Sequence, residues 1–226
     1  MLANTIPQVT SMADESTLSD KQKAIAPIAA FAAAGAMVPL DDALNRGLDA
    51  GLSVSDAREI LVQLYAYAGF PRALNALGQL MKTLDARRQR GIDDAPGRSP
   101  SADSPTGEAL LDAGTANQTK LAGSPVVGPL FDFAPAIDRF LKTHLFGDIF
   151  ERDNLDWASR ELATVGMLAA ISGVESQLLA HVRISLNVGL SPAQLRELAH
   201  ALDEAGDAAA AERVRAAIDQ HLDAAK

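Results

Sequence analysis

With four histidines and no cysteine, this chain has imidazole as its main means of moving protons near neutral pH. Every thiol nucleophile, dithiol redox centre and thiolate metal site is excluded. His181 is the best placed of the four. In a helix starting near Ser176, Gln177, His181 and Ser185 share one stripe, while Leu178, Val182 and Leu186 form the apolar stripe beside it. The ring therefore sits at the edge of a core, either as a general acid–base or as a hydrogen-bonded structural histidine. Arg160 and Arg183 are candidate clamps for a carboxylate, because a guanidinium offers two parallel hydrogen bonds. Each is otherwise a surface or interface charge. Arg183 lies two residues from His181, so on one helix their side chains diverge by about 200°. Glu161 either complements a helix N-terminus or orients His181 and relays its proton. Tyr67 and Arg72 flank the break Gly69-Phe70-Pro71. A Tyr67 hydroxyl there would donate to a developing enolate, or the ring merely packs. His144, His200 and His221 are scattered with no convincing metal-ligand spacing, so no metal is expected.

The elements that must carry these residues are helices. Ser19 with Gln22 is a capping box opening a first helix to about Ala34, ended by Gly35. A second spans about Leu40 to Ala50, before Gly51. Ser53 and Asp56 cap a third, whose Ala57, Ile60, Leu61, Leu64 and Ala68 share a face. A fourth runs from about Arg72 to Arg88. The Pro, Gly and Ser content of residues 89–106 marks a linker. Beyond it, helices are expected at Glu108 to Leu121, Ala134 to Phe146, Leu155 to Ser172, Ser176 to Val188, Ser191 to Leu202 and Ala208 to Ala224. The organisation is a flexible tail (1–18), a first helical repeat (19–88), the linker, and a second repeat (107–226).

The repeat rests on one gapless shift of 138 residues. It lays Gly51-Leu52-Ser53 on Gly189-Leu190-Ser191, Arg58-Glu59 on Arg196-Glu197, Leu48 on Leu186 and Gly35 on Gly173. The copies are worn in complementary ways. Ala43 and Asn45 stand where the second copy has His181 and Arg183, and Ala205 to Asp207 stand opposite Tyr67 to Gly69. Either one composite site draws on both halves, or the copies have drifted while keeping their packing.

Phe146-Gly147-Asp148-Ile149-Phe150, Ser159-Arg160-Glu161-Leu162, Leu179-Ala180-His181-Val182-Arg183 and Leu186-Asn187-Val188-Gly189 together resemble the core of gamma-carboxymuconolactone decarboxylase, in order and in spacing. That family's Tyr-Ala-Gly-x-Pro element is matched in the first half, at Tyr67-Ala68-Gly69-Phe70-Pro71. The resemblance implies an all-α fold of two tandem, degenerate carboxymuconolactone decarboxylase-like domains. It also implies a cofactor-free lyase that decarboxylates a small carboxylated lactone, with His181 and Glu161 catalytic and Arg183, Arg160, Tyr67 and Arg72 binding substrate. Related alkylhydroperoxidase D-like proteins use a Cys-x-x-Cys. Here Gly173-Val174-Glu175-Ser176-Gln177 stands in its place, so an antioxidant role is excluded. The alternative is an oligomeric scaffold without chemistry. Relatives form rings, which implies a homo-oligomer, a trimer for a two-domain chain.

Bulk properties bound the partners. The hydrophobic content of 48% with only 4% aromatic residues suits Ala- and Leu-rich helices. A net charge of −9 with no long basic run argues against nucleic acid or an anionic membrane as partner. The apolar run Ala24 to Val38 is too short and interrupted to span a bilayer. The acidic residues before it make a poor signal sequence, so a cytoplasmic protein is expected.

Overall fold

A computed structural model describes residues 17–101 and 105–224. Its architecture is all-α: α1 (Asp20–Ala34), α2 (Met37–Asp49), α3 (Val54–Gln63), α4 (Tyr65–Gln89), α5 (Glu108–Ala122), α6 (Pro129–Phe133), α7 (Pro135–Phe140), a π-helix (Leu141–Ile149), α8 (Trp157–Ala170), α9 (Glu175–Asn187), α10 (Pro192–Glu204) and α11 (Ala208–Ala224). Among the described residues no helix is long and apolar enough to cross a membrane.

The expected helix starts form by local chemistry. Ser19 and Gln22, Ser53 and Asp56, and Ser191 and Gln194 make reciprocal capping boxes, each pairing two otherwise orphaned N–H groups. Gly51 (φ 95°) and Gly189 (φ 100°) occupy the left-handed region just ahead of the second and third of these caps. Thus α1, α2 and α3 stand at the 138-residue offset from α8, α9 and α10, with matching turns. At Gly69 (φ 79°, ψ 163°) α4 is kinked, so the break read in the sequence falls inside one helical element.

At the centre, α1 lies along α8. Both are small-residue helices buried over most of their surface, so their backbones come close. A Cβ on Gly166 would lie 2.6 Å from the Ala26 carbonyl oxygen and 3.0 Å from its Cα. Backbone cannot swing aside, so Gly166→Val is expected to destabilise the fold by about 1–3 kcal/mol, read as a lower urea midpoint. Around this pair one core forms from both halves: Ile25, Ile28, Leu40 and Leu61 pack with Leu162, Met167, Leu195 and Ile218. The halves are not separately packed bodies. A smaller cluster, Leu121, Leu145, Phe146, Ile149, Phe150 and Ile184, lies beside it, with Tyr65, Tyr67 and Trp157 against it.

Three expectations shift. Most of the expected tail lies outside the described residues, but Leu18 is buried and its N–H donates to Glu197 (3.1 Å), so the packed chain starts earlier than residue 19. Among its described residues the linker forms no regular element after α4, yet these are fastened down. Val54 and Ser55 N–H groups donate to the Ala95 and Pro96 carbonyls, Arg87 grips Asp94, and Arg98 and Ser101 hold Asp153. Its Pro and Gly content rules out helix without making it free. The helix expected over 134–146 is a short α-helix continuing as a π-helix. There α5 presses close: a Cβ on Gly114 would meet the Lys142 carbonyl oxygen at 1.9 Å.

Candidate active site

Asp156 caps α8, its carboxylate accepting from Ser159 N–H at 2.8 Å, which places Arg160 and Glu161 one turn inside the helix. Adjacent residues on a helix point about 100° apart. Arg160 accordingly faces α3 and Glu161 faces α9. Glu161 is fully buried, and its Oε2 lies 2.8 Å from His181 Nδ1 on α9. The carboxylate can only accept, so Nδ1 carries the proton and donates. Among the described residues no hydrogen bond engages Nε2, and the His181 side chain keeps a narrow opening of 11%. Tyr67, from the first half, sets its ring edge-on to the imidazole at 5.8 Å between centroids. Burial first, and the Glu161 charge second, push the Tyr67 hydroxyl well above its ordinary value of 10. It therefore keeps its proton as a donor. Its Oη lies 3.3 Å from Thr164 Oγ1.

Behind this pair runs a buried polar chain. Glu59 on α3 accepts two hydrogen bonds from Arg152 (2.8 and 2.6 Å) and one from Arg160 (3.3 Å). Arg160 also donates to the Arg152 carbonyl (2.8 Å) and to Gln63 Oε1 (3.3 Å), and Gln63 Nε2 donates to Thr164 Oγ1 (2.7 Å). Burial raises the Glu59 carboxyl, but the Arg152 fork, a hydrogen bond from Asn154 and the Arg160 charge together outweigh it and hold the group below its ordinary value of 4.5. Burial pushes the Arg160 guanidinium down, against the pull of Glu59. Among the described residues four buried side-chain polar atoms have no hydrogen-bond partner, and two of them, Arg160 Nε and Glu161 Oε1, lie here.

Of the residues singled out in the sequence, the structure brings together His181, Glu161 and Tyr67, with Arg160 behind them. Arg160 is fully buried and committed to Glu59, so it is a strut and not an open clamp. Arg183 is exposed on the opposite side of α9, in a groove with Ser176, Gln220 and His221, as the angular divergence from His181 required. Arg72 is exposed and lies over Gly35 at the C-terminal end of α1. Neither reaches His181. Sequence reading missed Glu59, Gln63, Thr164 and Arg152. A signal existed for the first two: Ser55, Glu59 and Gln63 recur every four residues on α3, and all three are buried. His144 pairs with Asp148 (2.7 Å) and His200 with Glu204 (3.3 Å), both at the surface. Among the described residues no three His, Cys, Asp or Glu side chains are grouped to hold a metal ion.

The arrangement can hold one imidazole in a defined tautomer, with Nε2 free to take or give a proton beside a protonated phenol. Comparison with curated proteins gives no match. Residues 135–220, running from α7 into α11 and including Glu161 and His181, match the profile of the Carboxymuconolactone decarboxylase family.

Proposed function

We propose that the protein is a cofactor-free acid–base lyase that decarboxylates a small carboxylated lactone. The observation that carries this reading is the buried Glu161–His181 pair with Nε2 unengaged. The bond to the carboxylate carbon breaks and carbon dioxide leaves. The electron pair passes into the lactone as a dienolate. His181 takes a proton from water at Nε2 and passes it to carbon, while Glu161 keeps Nδ1–H in place and compensates the transient charge. The Tyr67 hydroxyl donates to the dienolate oxygen. Tyr67 comes from residues 19–88, which we read as a second, worn copy of the same domain, so the site is composite.

A test follows turnover of carboxymuconolactone and related lactones, with deuterium incorporation at carbon from heavy water. His181→Ala is expected to lose about 10²- to 10⁴-fold in kcat. A second reading, a helical scaffold without turnover, is favoured by one observation: neither Arg160 nor Arg183 is free beside His181 to hold an acid. No turnover and no exchange by the wild type across the lactones would establish that reading.

We also propose assembly of several copies, a trimer in the expected case, with α6–α7 as the contact. None of the residues of α6 and α7 is buried, and Leu130, Phe133, Ile137 and Phe140 are exposed, Phe133 to 89%. Large apolar side chains left exposed together on two adjacent short helices mark an interaction surface. Sedimentation of the full chain is expected to show an assembly that Phe133→Asp reduces to single chains.

A further inference from the structure

The 138-residue offset carries the dyad site onto a second place in the fold. Glu161 maps to Lys23, His181 to Ala43, Gln63 to Ala201 and Tyr67 to Ala205. These four residues come together in space just as their counterparts do, between α1, α2 and the end of α10. At the first place large polar side chains fill the volume. At the second, three alanines leave a cleft of about 180 Å³. Its walls are mainly apolar, with Ala24, Pro27 and Ala50 completing them, and four charged residues stand around it: Asp20, Lys23, Arg46 and Glu204.

The charges are not equivalent. Lys23 faces Glu197 at 3.6 Å, and Glu204 faces His200 at 3.3 Å. Asp20 opens α1, where the helix dipole compensates a carboxylate. Arg46 has no acidic partner among the described residues and is exposed at the mouth. The lining is thus an apolar pocket with one uncommitted guanidinium, the combination that suits an anion with an apolar body.

We infer that this cleft is a non-catalytic binding site for a small monocarboxylate, its apolar body seated on Ala43, Ala201 and Ala205 and its carboxylate held by Arg46. No imidazole stands there, so a ligand would bind without reacting. The α1 and α8 backbones touch at Ala26 and Gly166, which joins this cleft to the dyad through the central helix pair.

Benzoate is a suitable probe, with benzamide as its uncharged counterpart. Amide chemical shifts of the full chain are followed during titration. The expected result is saturable binding of benzoate with shifts centred on α1, α2 and the end of α10. Arg46→Ala should weaken it about 10- to 100-fold. Ala205→Leu, a change at a partly exposed position, should abolish it by filling the cleft. His181→Ala should leave it unchanged, which separates this site from the dyad whether or not the dyad proves active. The inference is overturned by absence of saturable binding in the wild type, by benzoate binding that survives Ala205→Leu, or by benzamide binding as tightly as benzoate.

Discussion

Glu59→Met is expected to cost about 3–5 kcal/mol of folding stability, more than a side chain forced into the central helix contact. Arg160 is fully buried, and Glu59, 1% exposed, is the carboxylate that faces it. Removing that carboxylate leaves a guanidinium in the interior with only neutral acceptors, the Arg152 carbonyl and Gln63. The cost is that of an uncompensated buried charge, not the loss of one contact. Glu59→Met combined with Arg160→Met should therefore recover much of the stability lost in the single variant. The pH dependence follows from the same pair. The folded-state value of Glu59 is depressed, so its contribution is fully present above the ordinary value of 4.5 and is lost as pH falls below it through the folded value. Urea unfolding at neutral pH and at pH 4 reads both effects. A single variant as stable as the wild type would show that Arg160 finds another partner or reaches water.

What was legible in the sequence is what is decided locally. Each capping box lies within four residues, and each formed where Ser and its Gln or Asp stood in register. The turning away of Arg183 from His181 is likewise fixed by helix geometry alone. The pairing of His181 with Glu161 spans 20 residues and two helices. Periodicity could not reveal it, so the sequence left Glu161 open between complementing a helix dipole and orienting His181. The Glu59–Arg160 bridge spans 101 residues and depends on α3 docking against α8. For that reason Arg160 read as a clamp for substrate when it is a strut. The polar stripe Ser55, Glu59, Gln63 was visible, but the apolar stripe beside it drew the reading of α3. The π-helix was illegible for a related reason. It lies where α5 abuts the Lys142 backbone, a contact between segments that no local pattern encodes. At the 138-residue offset, Glu59 reaches to α8 and its counterpart Glu197 reaches back to Lys23 on α1.

On the proposed decarboxylation, Glu161→Gln is expected to reduce turnover by about 10²- to 10⁴-fold while leaving the fold almost unchanged. The carboxylate can only accept from His181 Nδ1, so the proton stays on that nitrogen and Nε2 faces the opening. A carboxamide of the same shape can turn its amino group toward Nδ1. The ring then carries its proton on Nε2 in the neutral form, and the charge that balanced the imidazolium is gone. Both consequences act on proton transfer and neither acts on packing, because the side chain keeps its volume. Nitrogen NMR of the labelled imidazole distinguishes the two tautomers without any substrate. The wild type should show the Nδ1–H form, and Glu161→Gln a mixture or the Nε2–H form. The split between kinetic constants adds a second reading: kcat should fall with KM little changed, since Glu161 is sealed from solvent and does not touch a bound ligand. An unchanged tautomer with an unchanged kcat would remove Glu161 from the chemistry and leave it as a buried acceptor that fixes α9 against α8.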